Sequence, residues 1–477
     1  MEPDAMVPPR SILMIASEFP PKANAGVYRS VRFARYLPGL GWGVRVLTMD
    51  PRWYQPGTPT DEELLTRVPD SVEVVRAAAV YPLDWAGRLR RPFSRGAGAR
   101  GPGARDGKAS ANGHGRGGGT HPADNRGLYQ RVKDAVSLPL MTPDRHIGWI
   151  PFAVRAGRRL IRERGITVVY SSGPPWTNHL VGLRLKRATG RPWVADFRDP
   201  WIGSDFRPIR RGDTWAGRRH RRLERRVVET ADRVIVNTPR SRDDLLARYG
   251  DGLADKLTVI PNGFDPADYA DLDPPPAARR GGPRVVVAHA GSFYGKRNVD
   301  GLIDAVENLH RRGDLAPGSL EIRLIGALRP GRSHEEARVE AAGVEDVIKL
   351  TPRVGHDACL RQLAEADVLL LVQVGAPLSV PGKAYEYIAL GKPVLALAHQ
   401  GATTDLVERE GLGLWVAPDD VAAIEKSLVD LCRQFAAESR RPAISPDVRD
   451  RYDGRRLTEQ FDGVLREACR NAQPVPA

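Results

Sequence analysis

The chain has 477 residues, with apolar residues at 41% and charged residues at 27%; that length suits two to four domains, and the balance excludes wholesale disorder. Lysine and arginine total 72 against 58 acidic residues, a formal charge of +14, and only ten of the 72 are lysine. Three scattered cysteines (Cys359, Cys432 and Cys469) exclude a disulfide scaffold and a CxxC zinc site, and fit a reducing compartment.

In chain order, ILMIA at 12–16 reads as a buried strand. Val27, Val31, Ala34 and Leu37 follow at helical spacing, residues 39–43 break the pattern, and VRVLT at 44–48 is a second strand. That is one βαβ unit. A strand at 72–75 comes next. Residues 93–127 are Gly-, Arg- and Ala-rich, too poor in large apolar side chains to offset ordering entropy, and read as a disordered insertion. The alternation resumes with a helix at 151–163, strand 168–171, helix 176–189, strand 193–197, a long helix before Thr230 and strand 233–237. Ser241 is expected to cap the next short helix, and strand 257–260 closes this half.

A Pro-rich stretch at 271–283 separates a second, similar half. Its strands are read at 285–288, 320–325, 347–350, 368–372, 394–397 and 414–416, with helices between. Residues 446–470 read as one last helix, with Leu457, Phe461, Val464, Leu465 and Ala468 on one face. Strands that alternate with crossover helices imply parallel sheets. The fold class is therefore α/β: two doubly wound domains facing across a cleft. The division expected is 1–265, a linker at 266–283, 284–445, and a terminal helix with tail at 446–477.

Ligands of such sheets bind at the carboxyl ends of strands, so those segments are the candidate sites. After the first strand, SEFPPKANAGVYRS sets Gly26 where a helix begins, with Arg29 a turn on. A helix start offers N–H groups to an anion; an ordinary strand–helix connection is the alternative. After 168–171, SGPPWTNHL places Asn178 and His179 in a first helical turn. After the next strand, DFRDPW places Asp196, Arg198 and Asp199 beside Trp201, either as an ion-pair network or as a polarised site for hydroxyl groups. In the second half HAGSFYGKRN joins Gly291 and Gly295 to Lys296 and Arg297, the combination a diphosphate needs. PGKAYEYIALGKP then sets Ser379, Val380, Pro381 and Gly382 at the start of a helix carrying Lys383 and Glu386. Its N–H groups and dipole suit phosphate oxygens, and a glutamate amid Tyr387, Ile388 and Leu390 needs a partner. Glu386 can accept from a ribose diol.

Taken together and in order, these segments resemble a GT-B-fold glycosyltransferase of the family 4-like, retaining, nucleotide-sugar-dependent group, in its cell-surface polysaccharide branch. The motifs are SEFPP…G..R, SSGPP…HLVGL.LKR.TG.PWVADFRDPW, ER.V...AD.VIVNT, VIPNGFD, HAGSFYGKRN and PGKAYEYIALGKPVLAL followed by G.T..L. The resemblance spans about 11–430, outside the Gly/Arg insertion. It implies two Rossmann-like domains, acceptor on the first and donor on the second, with the last helix crossing back. It implies no metal and no cofactor: a nucleoside diphosphate sugar, UDP-linked by default, is a co-substrate. The sequence holds no Asp-x-Asp motif and no His/Cys cluster of metal spacing.

By that resemblance Gly26, Gly291, Lys296, Arg297 and Ser379–Lys383 bind the diphosphate, Glu386 holds the ribose, and His179 and Asp199 act on sugar or acceptor hydroxyls. Three positions depart from it: Leu378 where the group places a first glutamate, Ser292 where it places an arginine, and Ala25-Gly26 where it places two glycines.

Two other functions are open to the sequence: a nucleotide-sugar epimerase on the same fold, and a basic nucleic-acid-binding protein. The densest basic stretch, 207–226, has nine arginines but matches no nucleic-acid motif. It suits contact with an anionic membrane, or a solvated helix face. No apolar run approaches the ~20 residues of a membrane span, and MEPDAMVPPR lacks a hydrophobic signal core. A cytoplasmic enzyme is expected, stationed at the inner face of the plasma membrane if the acceptor is lipid-borne, with no nucleic-acid partner.

Overall fold

A computed structural model describes residues 10–81, 141–203, 214–270, 272, 284–291, 293, 298–328, 333–437 and 443–471. The Gly/Arg insertion at 93–127 and the Lys296-Arg297 pair lie outside the described residues.

Two parallel sheets form the frame. The first contains β1 (Arg10–Ile15), β2 (Trp42–Met49), β3 (Glu73–Ala77), β4 (Val168–Gly173), β5 (Trp193–Phe197), β6 (Arg233–Val236) and β7 (Leu257–Val259), in the order β3-β2-β1-β4-β5-β6-β7. The second contains β8 (Val285–Ala290), β9 (Leu320–Leu328), β10 (Ile348–Pro352), β11 (Val368–Gln373), β12 (Val394–Ala398) and β13 (Gly413–Val416), in the order β10-β9-β8-β11-β12-β13. In each sheet the order reverses beside the first strand, between β1 and β4 and between β8 and β11. Those are the points where a parallel sheet opens a crevice.

The strand runs are continuously apolar because both faces are covered. Successive residues of β1 go to opposite sides: Leu13 and Ile15 join one core cluster, Ile12 and Met14 the other. β8 does the same, with Val285 and Val287 on one face and Val286 and Ala288 on the other. Each large side chain so buried contributes about 1.5–3 kcal/mol. β1 is in register with both neighbours, Ile12 opposite Val44 and Val168.

Strand ends shift by one or two residues, and three differences from the expected elements go further. The 239–249 helix is capped by Thr238, whose hydroxyl accepts from the Ser241 N–H, so Ser241 lies inside the first turn. Strand β9 runs three residues past the expected end, through Gly326 at φ +86°. The terminal helix is two, Pro446–Arg451 and Gly454–Arg470. Asp453 separates them in extended conformation, caps the second through the Arg455 N–H, and bridges to Phe264.

That break lets the chain cross back. Pro446–Arg451 packs beside the Gly382–Leu390 helix of the second half. Gly454–Arg470 packs on the first sheet, where the Phe461 ring lies 4.4 Å from Phe33 and 4.8 Å from Tyr170. The two crossings touch: Phe264 N–H donates to Tyr452 O at 3.1 Å. Gly263, at φ +61°, is needed there, since a Cβ would fall 2.6 Å from that carbonyl oxygen.

Candidate functional site

A cavity of about 620 Å³ lies between the halves. Its walls follow β1, β4 and β5 on one side and β8 and β11 on the other, the carboxyl ends of both crevices.

On the second wall, Ser379, Val380, Pro381, Gly382, Lys383 and Glu386 all face the cavity. Pro381 stands at the N-cap of the Gly382–Leu390 helix and no side chain caps it. In the first turn Ala384 N–H donates to Pro381 O at 3.0 Å, while the N–H groups of Gly382 and Lys383 precede any intrahelical acceptor at the end of the helix that lines the cleft. Lys383 Nζ lies 3.9 Å from Glu386 Oε2, and both side chains are about one-third exposed. Tyr385, Tyr387 and Ile388 face the core instead, so Glu386 sits on the helix's wet face rather than among its apolar neighbours. Gly291 lies opposite at φ +148°. A Cβ there would come 3.2 Å from Lys383 Cε and 3.3 Å from His289 Nε2, so glycine keeps this gap open. His289 Nδ1 lies 2.9 Å from Leu370 O. The carbonyl can only accept, so Nδ1 carries a proton, and Nε2 lies on the side toward Gly291.

The first wall is built from side-chain pairs. Gly26 stands at the N-cap of the Val27–Tyr36 helix, but its N–H already donates to Asn24 Oδ1 at 2.9 Å. Asn24 also donates to Glu18, which pairs with Lys22 at 3.2 Å. Burial alone would raise the Glu18 carboxyl; Lys22, His146 and Asn24 outweigh it and hold it below its usual range.

The carboxylates of DFRDPW separate into two roles. Asp196 is fully buried and takes two bonds from Arg29, at 2.8 and 3.1 Å, plus the Tyr170 hydroxyl. Arg29 also donates to Pro261 O at 2.6 Å and Ile260 O at 3.1 Å, which staples the VIPNGFD loop to the first helix. Asp199 instead faces the cavity, 3.4 Å from Arg198 and 37% exposed. Beside it the Trp176 and Trp201 rings stack at 5.0 Å and 2°.

His179 corrects an expectation. It is wholly buried, 2.9 Å from Ser171 Oγ and stacked at 4.7 Å on Phe197, and it is not among the residues facing the cavity. Burial pushes its imidazole down to about 3, so it stays neutral and acts as a core residue. The chain turns β4 into the next helix so tightly that the first-turn ring folds under Gly173.

Sequence reasoning passed over Tyr28, Arg67, Asp268, Arg353 and His356, which also face the cavity. Arg353 follows strand β10, so the strand-end rule applied to that strand would have found it. Arg67 and Asp268 pair at 2.5 Å from segments far apart in the chain, and no local pattern announces them. Among the described residues, no group of three His, Cys, Asp or Glu side chains could hold a metal ion.

The chain has relatives among known families and structures. Residues 115–268 match Glycosyltransferase Family 4, and residues 284–434 match Glycosyl transferases group 1, together more than half of the chain. A D-inositol 3-phosphate glycosyltransferase of Kineococcus radiotolerans is 29% identical over 225 residues, 43% of this chain and 51% of that protein. The 2-deoxystreptamine N-acetyl-D-glucosaminyltransferase of Streptomyces fradiae is 27% identical over 298 residues, 60% of this chain and 66% of that protein. The chain thus spans about half to two thirds of the length of these curated relatives. Among solved structures, Anabaena Alr3699/HepE in complex with UDP and glucose superposes with a TM-score of 0.57 at 17% identity, covering 96% of this chain and 99% of that one. The frame of two parallel sheets around a cleft is the GT-B fold, and the chain belongs to the glycosyltransferases.

Proposed function

We propose that the chain transfers a sugar from a nucleoside diphosphate sugar to a hydroxyl of an acceptor, with retention at the anomeric carbon. The observation that carries this is the second wall: an uncapped helix start, Lys383 and Glu386 turned together into a cleft that glycine keeps open. The Gly382 turn and Lys383 stabilise the leaving diphosphate as charge develops on it. Lys296 and Arg297, beyond the described residues, add to that charge. Glu386 accepts from the ribose diol. A leaving phosphate oxygen takes the acceptor proton, so the step needs no buried base. UDP is the expected nucleotide; Alr3699/HepE, with the same fold, carries it.

In this reading residues 1–265 hold the acceptor and residues 284–445 hold the donor. Asp199 and Arg198, flanked by Trp176, form the wall against which acceptor hydroxyls bind. The relatives named above act on inositol 3-phosphate and 2-deoxystreptamine, polyhydroxylated rings that suit such a wall. A donor screen by nucleotide release tests the reading, with cyclitol and lipid-linked acceptors in parallel. No turnover of any nucleotide sugar would overturn it. Donor alone, with the sugar epimerised, would favour the epimerase alternative instead.

The surplus arginine supports a lipid-borne acceptor. Helices Ile150–Glu163, Thr177–Thr189 and Trp215–Thr230 pack side by side on one face of the first sheet. They carry twelve arginines against three glutamates. Burial and Arg226 on the adjoining helix hold the Arg184 guanidinium below its ordinary value, a sign of crowded like charge. Trp215 and Phe152 stand exposed on this face, at 49% and 38%. Such a face suits an anionic leaflet, and no described helix is long and apolar enough to cross one. Co-sedimentation should require anionic vesicles; equal binding to neutral vesicles, or preference for RNA, would refute this placement.

A further inference from the structure

The turn that precedes the donor helix is held from the opposite half of the molecule. Thr238 and Ser241, at the end of β6 and the start of the Pro239–Tyr249 helix, are 2% and 5% exposed. Both hydroxyls donate to one acceptor, the Leu378 carbonyl, at 2.7 and 3.0 Å. A carbonyl oxygen has two lone pairs, so the first half supplies both of its donors. The neighbouring carbonyls are held from the other side. Thr403 Oγ donates to Ser379 O at 3.2 Å, and Ala402 N–H donates to Pro377 O at 2.8 Å. Arg240, in the first turn of the Pro239–Tyr249 helix, clamps Asp405 of the Ala402–Arg409 helix, with Nη2 at 2.8 Å from Oδ1. Three adjoining residues of the turn thus depend on two helices, one from each half. Leu378 is also where the family-like pattern would set a carboxylate side chain; here the backbone at that position is engaged instead.

From this geometry we infer that Thr238 and Ser241 are positioning residues for the donor. They hold the Ser379–Lys383 turn in its binding shape, and they can do so only while the two halves are closed on each other. Opening would leave the Leu378 carbonyl without either donor and free the turn to relax. This inference rests on the donor reading of the second wall.

The test compares the wild type with Thr238→Ser, the double variant Thr238→Val/Ser241→Ala, and Arg240→Ala. The nucleotide is whichever of UDP, GDP, TDP and ADP the wild type binds by calorimetry. Thr238 also caps a helix, so the double variant is expected to melt lower and is assayed well below its melting point. Its affinity for the nucleotide should fall about tenfold or more, and its donor kcat/KM by at least as much. Thr238→Ser keeps both the cap and the donor hydroxyl and should stay within about twofold. Arg240→Ala removes the clamp on the Ala402–Arg409 helix without touching the turn and should weaken nucleotide binding in the same direction, by less. A folded double variant with unchanged nucleotide affinity overturns the inference and leaves the donor reading standing. A Thr238→Ser protein as impaired as the double variant overturns it too. A wild type that binds no nucleoside diphosphate overturns the donor reading and this inference together.

Discussion

Two cation–carboxylate pairs stand on opposite sides of the cleft, one buried behind its wall and one open to it, and they do different work. Arg29 and Asp196 are 2% and 0% exposed, bonded at 2.8 Å, and surrounded by further partners. Lys383 and Glu386 are 34% and 30% exposed and stand 3.9 Å apart. The buried pair has no solvent to replace a lost partner, so its atoms are committed to each other and to the carbonyls of Ile260 and Pro261. The exposed pair is loosely joined and screened by water, so its attraction is worth little to folding. Its donors and acceptors remain available to a ligand. Burial, rather than residue type, separates a staple from a binding site.

Breaking the staple should give the largest effect. Arg29→Met leaves Asp196 charged and buried, and should cost about 3–5 kcal/mol of stability. Urea unfolding measures it; a loss below about 1 kcal/mol would mean the pair is not the staple described. Lys383→Ala is the mirror experiment. It should leave the urea midpoint in place and lower donor turnover by about 10²–10³-fold, the size of a lost transition-state charge contact. Unchanged turnover would remove Lys383 from the diphosphate site.

Glu386→Ala sharpens the contrast within the exposed pair. It should raise donor KM by about tenfold or more, as loss of a charged hydrogen-bond acceptor does, with the protein still folded. Asp199→Asn should act on the acceptor instead, raising acceptor KM several-fold and sparing donor KM; the reverse pattern would exchange the two walls.

The effect that is smallest at neutral pH, and that grows on acidification, concerns His179. Its folded imidazole is held down to about 3 by burial, against an ordinary value of 6.5. The unfolded chain therefore binds the extra proton first as pH falls. Stability should rise with pH between about 3 and 6.5 and be lost on acidification through that window. His179→Asn should flatten that slope. An unchanged slope would show that the imidazole is not the group being titrated.

The second wall was legible as structure because it is made of local chain. Ser379–Gly391 is one continuous segment whose turn, helix start and glycine stop are written in order, and the fold keeps that order. The first wall was legible only in part. DFRDPW placed Asp196, Arg198 and Asp199 at a strand end, but their spacing along the chain is the same whether a side chain points into the sheet or into the cleft. Strand alternation sends Asp196 inward to Arg29, and the next turn releases Asp199 outward. His179 shows the same limit: a polar residue at a helix start reads as a ligand until a tight turn folds it under Gly173.

The alternating apolar runs and crossover helices were enough to specify two doubly wound sheets, because hydrophobic period and connection handedness are local rules with few global solutions. Those same rules, with glycine at the turns, were enough to place a helix start after β11, and it lines the cavity. Which charges meet could not be had that way. Arg67 with Asp268, Arg240 with Asp405, and the Thr238 and Ser241 hydroxyls with Leu378 join residues more than a hundred positions apart. The first joins the β2–β3 connection to the segment after β7; the others depend on how the two halves dock, which is decided by surface shape and by which polar groups lose water together. No periodicity along one chain records that.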